Sequence, residues 1–187
     1  MVFGRKVWHP NEVIADAEKE FQEYMSVQTA TGSSNTISTH LVSHQWIAPH
    51  VDYVKCNSDA SLSSVTNKSG VGYICRDHCG TPLFAFSSPI FFSDLLVGET
   101  IAVRMAMLEL ISNDYTHVMI ETDNLNLVTY VTSGGGTSPL HIRAIVEDII
   151  HLSSFFVSCS FTCIQWEINS VADSLARRAL SLTCTTD

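Results

Sequence analysis

Four carboxylates stand where the local pattern of the chain changes: Asp59, Glu99, Asp123 and Asp173. Asp59 closes an expected strand, in Lys55-Cys-Asn-Ser-Asp-Ala-Ser61. Glu99 falls in the expected first turn of a long helix, on a stripe with Ala102, Val103, Ala106 and Leu110. Asp123 ends an apolar strand, in Ile120-Glu-Thr-Asp-Asn124, and Asp173 sits in the first turn of the last helix, in Asn169-Ser-Val-Ala-Asp-Ser-Leu-Ala176. If the first and fourth strands are parallel neighbours, Asp59 and Asp123 emerge side by side at their carboxyl ends, where open α/β sheets place their sites. Four close carboxylates repel one another by roughly 1–4 kcal/mol per pair at about 4 Å. Either their pKa values rise or a cation joins them. Oxygen ligands without His or Cys suit Mg2+ or Mn2+, and two such ions can clamp the attacking water and leaving oxygen of a phosphodiester. Each acid also has a plainer reading. Asp59 is a turn former, Asp123 an N-cap, Glu99 a complement to the helix dipole, and Asp173 an i, i+4 partner of Arg177.

The elements that must position these groups follow from periodicity. Tyr53 to Ser58, Gly70 to Arg76 and Leu83 to Ser87 read as three strands on short connections, an antiparallel meander. The polar stretch Ser61 to Ser69 reads as a loop, and Asp77-His-Cys-Gly80 as a tight turn. A helix is expected from about Leu96 to Ser112, a strand over His117–Thr122 and a short helix over Asn124–Thr132. Gly134, Gly135 and Gly136 break that helix, and Pro139 opens another to about Ser153. Ser160 to Trp166 reads as the fifth strand and Asn169 to Leu180 as the closing helix. The order β-β-β-α-β-α-α-β-α implies an α/β fold, a mixed five-stranded sheet with helices on both faces. Upstream, Val13, Ile14, Ala17, Phe21, Tyr24 and Met25 recur at helical spacing opposite Glu12, Asp16, Glu18, Glu20 and Glu23. A polar stretch from Thr29 to His44 follows. We therefore divide the chain into residues 1–45, an acidic amphipathic helix with a linker, and residues 46–187, the folded domain.

With 187 residues, 45% hydrophobic and 16% charged, the chain can bury a globular core and is not a disordered one. No apolar run approaches a membrane span, and no h-region follows the first charges, so neither a membrane segment nor a secretory signal is expected. Six cysteines without a dense framework read as reduced thiols of an intracellular protein, nuclear or cytoplasmic. The two C-x3-C pairs, Cys75/Cys79 and Cys159/Cys163, lie on or beside expected strands and lack the C-x2-C knuckle of structural zinc. There is no G-x-S-x-G elbow and no P-loop.

The same residues bring a family into view. Lys55-Cys-Asn-Ser-Asp-Ala60, Gly70-Val-Gly-Tyr-Ile-Cys-Arg-Asp77 with Gly80, Gly98-Glu-Thr-Ile-Ala102, Ile120-Glu-Thr-Asp123 and Asn169-Ser-Val-Ala-Asp-Ser-Leu-Ala176 stand in one order. Together they resemble the motifs of the ribonuclease H-like fold, and specifically the plant reverse-transcriptase-like ribonuclease H domains related to retroelement enzymes. The resemblance runs from about Trp46 to Leu180. It implies hydrolysis of the RNA strand of an RNA–DNA hybrid by two Mg2+ or Mn2+ ions. It implies Asp59, Glu99, Asp123 and Asp173 as catalytic metal ligands, and Asn169, Ser61 and Asn124 as substrate contacts. The expected partner is nucleic acid, the chain being a monomer whose N-terminal helix is free to meet a protein partner.

Two departures from the family pattern bear on turnover rather than on fold. The histidine that family members often carry before the closing motif is Cys163 here, and an unperturbed thiol has a pKa of about 8.5. The lysine-rich segment of some relatives is absent, since Ser133-Gly-Gly-Gly136 carries no basic cluster. The alternative functions are a non-catalytic nucleic-acid or protein binding module that kept the fold, and a structural remnant of a mobile element. Charge bears on the choice. Ten Lys and Arg against nineteen Asp and Glu leave −9, which speaks against gripping nucleic acid by bulk electrostatics. Residues from Val51 onward carry seven bases and fourteen acids, a net of −7. Four of those acids are the expected ligands; two divalent ions would bring that region to −3, which predicts weak substrate binding.

Overall fold

β-Branched and aromatic residues in short runs set the sheet. In the computed structural model, which describes Ala15 and residues 45–182, five strands form. They are β1 (Val54–Ser63), β2 (Lys68–Arg76), β3 (Pro82–Pro89), β4 (His117–Thr122) and β5 (Ser158–Cys163). Four helices accompany them: α1 (Leu95–Ser112), α2 (Leu125–Thr132), α3 (Leu140–Ser153) and α4 (Ser170–Ala179). The strand order is β3-β2-β1-β4-β5. β1 runs antiparallel to β2 and parallel to β4, and β5 is parallel to β4. This is the expected mixed sheet. The helix expected over residues 11–25 lies outside the described residues apart from Ala15. Among the described residues no helix is long and apolar enough to cross a membrane.

The two faces of the sheet are covered unequally. On one, Cys56, Tyr73, Val118 and Ile120 pack against Val103, Met107 and Leu110 of α1, Leu127 of α2 and Ile142, Val146 and Ile149 of α3. On the other, Ile74 meets Val171 and Leu175 of α4. α4 lies directly on the backbone of β2: a Cβ at Gly72 would come within 2.4 Å of the Ala176 amide nitrogen. Only glycine permits this approach. A similar approach brings α1 to β1, where a Cβ at Gly98 would stand 2.9 Å from the Ala60 Cβ and 2.4 Å from the Phe92 ring. Gly98 thereby sets Glu99 beside β1.

Several boundaries differ from expectation for physical reasons. β1 continues to Ser63 and β2 begins at Lys68, so the expected loop over 61–69 shrinks to residues 64–67. Ser61 pairs with Gly70 and Ser63 with Lys68, because ladder bonds are made by backbone whatever the side chains. Asp59 is therefore inside β1 and not at its end. What ends near Asp59 is the parallel ladder to β4, whose last pair is Asn57–Glu121. α1 starts at Leu95 behind Asp94, whose carboxylate accepts from the Leu96 amide at 2.8 Å. Glu99 consequently sits in the second turn, too far in for the dipole reading. β5 runs over Ser158–Cys163 and stops short of Trp166.

Candidate functional site

The carboxylates of Asp59, Glu99 and Asp123 converge, with one oxygen of each within 4.8 Å of the others. They come from β1, α1 and the residue after β4, so only the folded sheet brings them together. Asp59 and Glu99 are buried, and Asp123 is half-buried. An Asp59 oxygen accepts from the Ala60 amide at 2.9 Å, and the Thr122 hydroxyl donates to Glu99 at 3.4 Å.

Electrostatics follow from this crowding. Burial pushes the Asp59 carboxyl well above the usual carboxylate range, and the neighbouring Glu99, Asp123 and Asp173 charges push it further. Burial also raises Glu99 to about 7, partly offset by its hydrogen bond with Asp59 and by that from Thr122, with Asp123 opposing the offset. Without a cation both carboxyls are therefore biased toward their uncharged forms. Asp123 is raised, first by burial and then by the Asp173 charge, while the Asn169 amide pulls it back. Three oxygen donors short of positive charge, with no imidazole or thiolate among them, fit a hard divalent cation such as Mg2+ or Mn2+.

The other expected site residues are placed differently. Asp173 lies in the first turn of α4, outside the convergent trio but near enough to raise Asp59 and Asp123. Its carboxylate meets Arg177 at 2.8 Å, so the i, i+4 pairing holds as well. Asn169 precedes α4 and is buried, its amide nitrogen donating to the Ser58 carbonyl at 3.0 Å. Its Oδ1 is buried with no protein partner among the described residues. Asn124 is the N-cap of α2, accepting from the Leu127 amide at 3.0 Å; the plain cap reading given to Asp123 belongs to its neighbour. Ser61 is half-buried on β1, two residues beyond Asp59 on the same face. Cys163 ends β5, its thiol 3.5 Å from the Asp123 carbonyl, and burial together with Asp123 raises its pKa.

Sequence reasoning overlooked a buried polar cluster beside the trio. Lys55 meets Glu121 at 2.8 Å, Asn57 donates to Glu121 at 2.9 Å, and Arg76 donates to Asn57 at 2.8 Å. The Trp46 ring lies 3.6 Å from the Arg76 guanidinium. The available signal was charge inside otherwise apolar strands: Lys55, Arg76 and Glu121 each interrupt a run that reads as core. A second donor group, Asp77, His78 and Cys79, lies in the β2–β3 turn. Its Asp77 oxygen already accepts from the Cys79 and Thr81 amides, closing the turn.

Comparison with known proteins agrees with this architecture. No curated protein matches the sequence. The fold resembles RNase H1 of Halobacterium salinarum, with a TM-score of 0.64 and 19% identity over 69% of this chain and 98% of that one. It resembles LC11-RNase H1, solved in complex with an RNA/DNA hybrid, with a TM-score of 0.62 and 20% identity over 68% of this chain and 96% of that one. It also resembles part of a foamy viral protease-reverse transcriptase, with a TM-score of 0.55 and 19% identity over 79% of this chain and 22% of that one. A family model described as reverse transcriptase-like matches residues 57–179, a span that holds all four acids. With that span matched, the chain belongs to the reverse transcriptase-like family, and its sheet order and helices make a ribonuclease H-like fold.

Proposed function

We propose that this chain is a divalent-metal-dependent endoribonuclease that hydrolyses the RNA strand of RNA–DNA hybrids. The observation that carries the reading is the convergence of Asp59, Glu99 and Asp123 from three separate elements. Folding brings three acids into one buried cluster at a cost in repulsion, and a cation offsets that cost. Family membership and fold support the substrate class, since a neighbour of like fold was solved with an RNA/DNA hybrid.

In this reading Asp59, Glu99 and Asp123 would hold one ion, and Asp173, here paired with Arg177, would serve a second. Divalent ions held there would activate water and would offset the charge that develops on the leaving oxygen. The chain's own residues supply orientation: the Ala60 amide fixes one Asp59 oxygen and the Thr122 hydroxyl fixes Glu99. Asn169 ties the start of α4 to the Ser58 carbonyl, and so holds Asp173 near β1. Cys163, its pKa raised, stays protonated at neutral pH and is too weak an acid to deliver that proton readily. Proton transfer to the leaving oxygen falls to solvent, which lowers turnover.

The test is cleavage of an end-labelled RNA–DNA hybrid in millimolar Mg2+ or Mn2+. Wild type is expected to cut the RNA strand. Asp59→Asn is expected to lose about a hundredfold or more, equivalent to ~2.7 kcal/mol of barrier. Equal, metal-independent background in both would sink the nuclease reading. The Asp173–Arg177 ion pair favours a second reading, a hybrid-binding module without turnover. Hybrid binding without cleavage by wild type would select it.

A further inference from the structure

The buried cluster of Lys55, Asn57, Arg76 and Glu121 has no part in the proposed chemistry and still takes four polar side chains out of water. All four are at most 7% exposed. Buried ion pairs rarely stabilise more than an apolar set of equal volume, so what this cluster contributes must be sought in specificity of arrangement. Its place in the sheet shows what that arrangement is. Asn57 and Glu121 form the last pair of the parallel β1–β4 ladder. Two residues further on stand Asp59, on the same face of β1 as Asn57, and Asp123, the residue that follows β4.

Asn57 is the hinge of a line of side chains across three strands. Its carbonyl oxygen accepts from Arg76 of β2, and its amide donates to Glu121 of β4. Lys55 holds the other Glu121 oxygen and also donates to the Ile47 carbonyl at 2.7 Å. The Trp46 ring covers both cations, 3.6 Å from Arg76 and 5.4 Å from Lys55. Past this line the β1–β4 ladder stops, so no backbone bond between these strands fixes the separation of the two acids. A slip of one residue would turn Asp59 to the opposite face of the sheet. A slip of two would move it about 6.6 Å along the strand.

We propose that the Asn57–Glu121 pair, braced by Lys55 and Arg76, is the positioning device of the acidic site. It locks the β1–β4 register and spacing that bring the Asp59 carboxylate to that of Asp123. The proposal rests on the metal-dependent reading above and assigns these residues no contact with substrate.

The test measures the metal concentration at the midpoint of thermal stabilisation by Mn2+, together with hybrid cleavage. Glu121→Leu keeps the volume and removes the acceptor, and is expected to raise that midpoint about tenfold. Glu121→Gln still offers Asn57 an acceptor and is expected to lie between Glu121→Leu and wild type. Leu152→Ala, a core variant of α3, is expected to lower the melting temperature and leave the midpoint unchanged. A purely structural role for Glu121 predicts the Leu152→Ala pattern for Glu121→Leu, and that result would overturn the proposal. Should Glu121→Leu not fold, Asn57→Ser removes the same bond from its other end and is held to the same criterion. A wild type that shows neither stabilisation by metal nor cleavage overturns the nuclease reading, and the positioning role with it. A responsive wild type beside an unchanged Glu121→Leu overturns the positioning role alone.

Discussion

Burial holds the Glu99 carboxyl above the ordinary carboxylate range in the metal-free fold, and this has a measurable sign. The Glu99 carboxyl is raised from 4.5 to about 7. Between those values the folded chain binds more protons than the unfolded one, so stability falls as pH rises. The stabilisation is complete below about 4.5 and is lost as pH passes about 7. The metal-free melting temperature is therefore expected to fall between about pH 5 and pH 7.5, by the equivalent of roughly 1–3 kcal/mol. Glu99→Gln, which cannot titrate, is expected to flatten that fall. Equal slopes for the two proteins in a metal-free pH series would show that Glu99 does not carry the effect. At this scale the acids were legible in the sequence, because a carboxylate closing an apolar run is conspicuous. Glu121 was not, since its meaning depends on Asn57 and Lys55, which are local neighbours of Asp59 but distant from Glu121 in sequence.

At the scale of elements, the site depends on two close approaches made by glycine. Gly72 lets α4 rest on β2, and Gly98 lets α1 touch β1, so each helix delivers its acid to the sheet. Gly72→Ala would drive a methyl group against the Ala176 and Leu175 backbone. It is expected to destabilise by about 1–3 kcal/mol in denaturant unfolding and to weaken cleavage through a displaced Asp173. Gly136→Ala, with nothing within 4 Å of its added Cβ, is the matched control and is expected to stay within about 0.5 kcal/mol of wild type. A Gly72→Ala protein as stable as that control would mean that α4 can shift without strain. Element order and type were legible from periodicity, while boundaries were not. β1 runs on through Ser61 and Ser63 because backbone pairing with β2 ignores side-chain polarity, and Glu99 lies one residue deeper in α1, just past its first turn, because Asp94 caps the helix.

At the scale of the molecule, charge decides how nucleic acid is met. With a net of −9 and no basic cluster in the Gly134–Gly136 segment, the chain repels phosphate until its acids are neutralised. Divalent ions ordinarily weaken protein–nucleic acid binding by competing for phosphate. Here the expectation is the opposite: Mg2+ at constant ionic strength is expected to tighten binding of an uncleavable 2′-O-methyl RNA–DNA hybrid. Fluorescence anisotropy with and without Mg2+ measures this, and binding that is unchanged or weaker with Mg2+ would place the hybrid away from the acids. Binding is also expected to be weak and shallow in its salt dependence, because the chain has ten Lys and Arg against nineteen Asp and Glu.

The sequence by itself determined the order of elements, the sheet class, the family resemblance and the identity of the four acids. These are written in local periodicity and in the residue types at the ends of runs. Tertiary structure alone decided which acids meet. It joined Asp59, Glu99 and Asp123, left Asp173 beside them in an ion pair with Arg177, and gave Asn124 to a helix cap. It also showed the line from Arg76 through Asn57 to Glu121, which spans three strands. Such distances depend on strand register and on how closely a helix can approach a sheet. Both are settled by packing between segments far apart in the chain, where no local pattern records them.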